Sequence, residues 1–165
     1  MDKIKKILFS SLVALATLPS TAFATTPPPP GTPVTEGEGT AIIYNKFESN
    51  GIVKPLYSSN YLWSANIEAT NHYQINKNIT LSSGYSGITI YTLGQKNGST
   101  NNTTYSVGVD EWRFFGGYYY TVETKEFTYN TTQTTTYWNL STSTHYRVHI
   151  WGAVKGNVDV YEATP

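Results

Sequence analysis

From Gly39 to the C-terminus the apolar residues recur at every second position, and no stretch keeps a helical period for longer than one turn. Tyr61, Trp63, Ala65, Ile67 and Ala69 fall on one side, with Leu62, Ser64, Asn66 and Glu68 on the other. The same alternation runs through Tyr105, Val107 and Val109, through Tyr118, Tyr120 and Val122, and through Thr134, Thr136, Trp138 and Leu140. Successive side chains of an extended strand point to opposite faces, so each run reads as a half-buried antiparallel strand. Adding 41–47, 79–81, 88–93, 127–129, 146–150 and 158–160 gives about ten short strands, a number that predicts a sandwich or a barrel. Turn residues separate them at Ser82-Ser83-Gly84, Asn97-Gly98, Gly116-Gly117 and Gly156-Asn157. The expected fold is all-β: an antiparallel β-sandwich of Greek-key or jelly-roll type.

The residues before Gly39 have a different character. Lys3, Lys5 and Lys6 precede an apolar run over 7–18 and then Ala22-Phe23-Ala24, the spacing a signal peptidase reads. That run is too short to cross about 30 Å of hydrocarbon as a helix, so residues 1–24 read as a signal peptide and the product as secreted and extracellular. Residues 25–38, with four consecutive prolines, favour an extended backbone and cannot build a core, so they read as a flexible Pro-rich spacer. Residues 39–165 remain as one β-sandwich domain. The chain has no cysteine, so its stability must come from the core, and a Lys-rich leader on a cysteine-free exported domain suggests a bacterium. Of 11 basic and 11 acidic residues the leader holds three lysines and one aspartate, leaving 8 against 10. With 13% charged and 15% aromatic residues, the chain is neither a disordered polyelectrolyte nor an electrostatic nucleic-acid binder.

Leu140, Thr144, Tyr146, Val148 and Ile150 stand in the order Leu-x-x-x-Thr-x-Tyr-x-Val-x-Ile. This segment resembles the penultimate strand of fibronectin type III domains, and its Thr-x-Tyr ending is similar to the small sandwiches that bacterial secreted peptidases carry after the catalytic domain. The resemblance implies a tyrosine corner, in which the Tyr146 hydroxyl bonds backbone a few residues upstream. It covers Leu140 to Ile150 only, and it implies a sandwich and no function.

No catalytic constellation stands out. Gly84-Tyr85-Ser86-Gly87-Ile88 has Ile88 where a nucleophile elbow needs its second glycine, and reads as a hairpin turn. His145 and His149 would lie about 13 Å apart along one strand, too far to share a metal ion, and nothing in the sequence fixes His72 near either. Asp110 and Glu111 are adjacent and point to opposite faces, so they make no carboxylate pair. The threonines between Thr131 and Thr136 lack the fixed repeat of a hydroxyl ladder and follow from β-propensity. Neither an enzyme, a metal nor a cofactor is expected.

The aromatics that parity assigns to the outside are the candidate contact residues, since exposed rings lower solubility and often serve binding. Tyr119 and Tyr137 are placed outside by their neighbours. On the last two strands Val148, Ile150, Val158 and Val160 face the core. The shortest consistent hairpin has the loop Lys155-Gly156-Asn157, which pairs Val154 with Val158 and sets Trp151 across from Tyr161. That arrangement predicts an outer platform of Trp151 and Tyr161, edged by His149, Arg147 and Asp159. The expected function is a non-catalytic binding module that meets a glycan, cell wall, matrix or host surface through these rings. The alternative is a toxin or antimicrobial β-protein acting at membranes, which suits Trp and Tyr belts but not the near-neutral charge.

Overall fold

The computed structural model describes residues 26–45 and 59–165. The segment read as a signal peptide lies outside these residues. Nine strands form one antiparallel sheet: β1 (Pro33–Val34), β2 (Gly37–Tyr44), β3 (Ser59–Gln74), β4 (Gly87–Lys96), β5 (Thr104–Arg113), β6 (Tyr118–Thr128), β7 (Thr132–Tyr137), β8 (Tyr146–Trp151) and β9 (Val154–Ala163). The order is β1-β6-β5-β8-β3-β9-β4-β7, with β2 added to β3 off this path. The sheet curls so that its two halves face each other as an all-β sandwich around the core. Across that core the Tyr137 hydroxyl donates to the Val107 carbonyl at 2.7 Å, and the Thr92 and Tyr105 hydroxyls meet at 3.1 Å.

A long ribbon is the spine. The last two strands do not form the expected hairpin; both lie antiparallel to β3 along one edge, end to end and in one unbroken register from Gln74↔His149 through Ala69↔Val154 to Trp63↔Val160. Gly152 and Ala153 mark the only break, with Gly152 at φ 128° and its amide bonded to the Asn71 carbonyl. There the ribbon changes its outer partner from β5 to β4. The segment read as a loop, Lys155-Gly156-Asn157, is inside β9. Its glycine serves close approach rather than a turn, since a Cβ on Gly156 would stand 2.0 Å from the Leu93 carbonyl oxygen. Trp151 therefore pairs with His72 and Ser106, and Tyr161 with Tyr61 and Thr89, so the two rings are not opposite each other.

The alternation is right for most of the core: Trp63, Ala65, Ile67, Ala69, Val107, Val109, Val148, Ile150, Val158 and Val160 are all buried in it. It fails at two bulges. Between Tyr61 and Trp63 the register slips by one, so Leu62 packs on the core and Tyr61 turns to the outer face against Tyr161. Between Thr121 and Glu123, Val122 is the extra residue opposite the Val109-Asp110 step, which unlinks the parity of 118–121 from the rest of β6. The runs 118–122 and 127–129 belong mainly to one strand rather than two, and 79–81 makes only an isolated bridge, Ile79↔Tyr146.

The corner at Tyr146 is present: its ring is 1% exposed, and its hydroxyl accepts from the Ser141 amide at 2.7 Å and donates to the Ser141 carbonyl at 3.2 Å. The stretch read as a flexible spacer pairs with the sheet over part of its length. Pro33 and Val34 align with Tyr120 and Tyr119, and Gly31 and Thr32 bond the backbone of Thr121. Proline is tolerated there because β1 is an edge strand.

Candidate functional site

The outer face of the ribbon holds most of the rings and polar groups that parity singles out, but it is closed. His149, 1% exposed, directs Nδ1 to Asp110 Oδ2 at 2.8 Å, and the same oxygen accepts from Gln74 Nε2 at 2.6 Å. On its other side His149 Nε2 lies 3.2 Å from His72 Nδ1, and its ring stacks on Trp151 with centroids 3.8 Å apart. Structure thus fixes His72, distant in sequence, beside His149. If Asp110 accepts the Nδ1 proton, His149 Nε2 is left as acceptor for the Nδ1–H of His72. Burial lowers the His72 pKa from its ordinary value, His149 lowers it further, and Glu38 opposes both.

Arg147 extends this network: Nη1 donates to Gln74 Oε1 at 3.3 Å and Nε to Asn78 Oδ1 at 2.9 Å, with its guanidinium 4.4 Å from the Tyr119 ring. The Tyr119 hydroxyl also donates to Asn78 Oδ1, at 2.8 Å. Tyr119 does lie on the outer face, as expected, but is only 7% exposed because Trp112, Arg147 and β1 pack against it.

Trp151 is likewise on the outer face and only 3% exposed. The Pro-rich arm lies over it, and Pro28, Pro33 and Val34 together with His72, His149 and Trp151 line a shallow pocket of about 220 Å³ that opens to the surface. The expected open platform is therefore a packed one. At the other end of the same face Tyr161, 6% exposed, sits edge-on between Tyr61 and Tyr91, each 5.5 Å away. Asp159 accepts from the Ser64 hydroxyl while its Oδ2 is buried without a partner, and burial raises its pKa, with the Ser64 bond opposing. Tyr137 was expected outside and is a core residue at 0% exposure, because Ile88, its partner on β4, faces inward.

The rings that do reach solvent are elsewhere. The β5–β6 hairpin closes at Arg113↔Tyr118, and its loop is Phe114-Phe115-Gly116-Gly117. Phe114 is 86% exposed, Phe115 91% and Tyr118 59%. The two phenylalanines meet edge to face, centroids 5.8 Å apart and planes at 85°. Gly116 and Gly117 both take positive φ, 116° and 66°, which lets the loop turn tightly enough to push both rings outward. Beneath the tip Trp112 stacks on His145 at 5.6 Å and contacts Tyr119 at 5.1 Å; its amide donates to the His145 carbonyl at 2.9 Å and its carbonyl accepts from the Thr144 hydroxyl at 2.8 Å. Alternation cannot find Phe114 and Phe115, because they lie beyond the last ladder pair. Two bulky apolar residues directly before Gly-Gly, between strands of opposite direction, were the available signal.

Among the described residues no group of three or more His, Asp or Glu is placed to hold a metal ion, and no helix is long and apolar enough to cross a membrane. No family model matches the chain, and no curated protein matches it. Two solved structures are similar in part. One is the C-terminal family 22 carbohydrate-binding module of Clostridium thermocellum Xyn10B, at 12% identity and a TM-score of 0.45 over 78% of this chain and 82% of that one. The other is TmCBM61, solved in complex with β-1,4-galactotriose, at 10% identity and a TM-score of 0.40 over 76% of this chain and 85% of that one. Scores this low assign neither family nor ligand.

Proposed function

We propose that this chain is a secreted, non-catalytic surface-binding module whose contact element is the aromatic tip of the β5–β6 hairpin. The observation that carries the reading is the exposure of Phe114 and Phe115, at 86% and 91%, on one tight turn with Tyr118 beside them. Single exposed apolar residues are ordinary on a protein surface, but adjacent rings that bury nothing in the fold contribute little to its stability and are suited to contact. The stack of Trp112, His145 and Tyr119 holds the base of the turn, so little ordering is left for the moment of binding. A non-catalytic role fits the outer-face cluster, whose Asp110 and His149 side chains are buried and bonded to each other rather than presented to a substrate.

The test is a binding survey with the mature protein and the double variant Phe114→Ser, Phe115→Ser against whole cells, purified cell wall, insoluble polysaccharides and lipid vesicles. Binding to at least one of these, lost in the variant at unchanged thermal stability, is the expected result. Binding that survives the double change intact overturns the assignment of the tip.

A further inference from the structure

We infer that the surface met by this tip is a lipid bilayer, entered only to the depth of the headgroup boundary. The inference rests on the tip being the contact element and names its partner from the chemistry of the turn. A sugar is favoured by a flat ring platform with polar groups at its rim, and Phe114 and Phe115 offer neither: their planes stand at 85°, so a flat face lies against at most one of them, and their side chains hold no hydrogen-bonding atom. A bilayer asks for no shape complementarity, only that apolar rings leave water.

The flanking residues suit that boundary. Tyr118, 59% exposed, carries a hydroxyl on an apolar ring, the pattern found where headgroups meet acyl chains. Arg113, its partner across the ladder, has a half-exposed side chain held by Glu111 at 3.3 Å and by the Tyr120 ring at 4.8 Å, within reach of a phosphate plane when the two phenylalanines are immersed. The turn is four residues long and the ladder behind it bears Glu111, Arg113 and Glu123, so insertion stops at the turn. Without residues 1–24 the chain has 8 basic and 10 acidic residues, so attraction to anionic lipid contributes little and attachment depends on the rings. Burying one phenylalanine in hydrocarbon favours the bound state roughly tenfold to a hundredfold, which makes the attachment weak and reversible rather than a permanent anchor.

The experiment is co-sedimentation of the mature protein with vesicles of phosphatidylcholine, and of phosphatidylcholine mixed with phosphatidylglycerol, at low and high salt. Expected is binding to both, little changed by salt. Phe114→Ser or Phe115→Ser should weaken it about tenfold or more each, the double variant should abolish it, and Phe114→Trp should retain it. In the bound state brominated lipid should quench Trp112 fluorescence, read in a variant whose other tryptophans are replaced by Phe. Unchanged vesicle binding in the double variant overturns the inference. So does a wild-type protein that ignores vesicles yet binds a glycan or a protein through the tip, in which case the tip remains the contact element and only the partner is wrong. A tip variant that binds every surface as the wild type does overturns both.

Discussion

Trp151 and Phe115 are both large rings at positions where the sheet presents them away from the core, yet one is 3% exposed and the other 91%. The difference is one of neighbours. Trp151 sits in the middle of the ribbon, where His149 stacks on it and the Pro-rich arm lies over it. Phe115 sits past the last hydrogen-bonded pair of a hairpin, where among the described residues no strand runs alongside. Facing outward from a sheet is therefore not the same as facing water. An outer face can be a second packed layer, and the turns are then the places where side chains escape it.

The largest expected effect tests that contrast directly. Trp151→Ala should cost about 3–5 kcal/mol of stability, the loss typical of a buried ring, while Phe114→Ala and Phe115→Ala should each stay within about 0.5 kcal/mol. Urea denaturation of the three variants gives the comparison, and equal costs would erase the distinction. Next comes the cover itself. A chain beginning at Glu36 loses the bonds that Gly31 and Thr32 make to the Thr121 backbone, and should be less stable by about 1–3 kcal/mol through the groups left unpaired. Its Trp151 emission should shift to the red as water reaches the ring. No shift would mean that the arm does not shield it.

Tyr146→Phe, remote from both regions, calibrates the scale. It leaves the Ser141 amide and carbonyl without their partner and should cost about 1–2 kcal/mol in the same denaturation series. The smallest effect is in pH. Burial holds the folded pKa of His72 below 6.5, so the unfolded chain binds its proton more readily, and stability should decline as pH falls through 6.5 until the folded value is passed. Urea midpoints measured from pH 8 down to pH 5 should show that decline, and it should be reduced in His72→Gln. Phe114 to Gly117 carry no ionisable side chain, so attachment through the turn should not follow the His72 decline, and attachment that falls in parallel with stability would link the two regions.

Much of this fold is legible in the order of residues because burial imposes period two on every strand. The inward sets on β3, β5, β8 and β9 follow from it directly. What the period does not encode is which strand lies beside which. Nothing local distinguishes a hairpin at Gly156 from a strand that runs straight on, since a glycine serves both a turn and a close approach, and here the Leu93 carbonyl 2.0 Å from its absent Cβ decides. Bulges at Leu62 and Val122 are equally silent; the first reverses the assignment of Tyr61, and the second breaks the parity between the start of β6 and the rest of that strand. For the candidate contact residues Trp151, Tyr161, His149, Arg147, Asp159, Tyr119 and Tyr137 the sequence offers only parity, which names a face and not what covers it. Asn130 and Asn139 take positive φ angles of 60° and 62°, a conformation that asparagine tolerates better than most residues.

The ribbon of β3 with β8 and β9 also sets a timetable for folding. Ser64 meets Asp159 across a separation of 95 residues, and the same last strand supplies the edge on which β4, and through it β7, assembles. A chain emerging from its N-terminus can close the β5–β6 hairpin early, but half of the sandwich has no edge to join until nearly the last residue has appeared. Folding should therefore be slow and concerted, with the waiting strands open to mispairing in the interval. A nascent chain of this design carries half of its sandwich as unpaired strands through most of its synthesis, and the last strand completes the fold in a single late step.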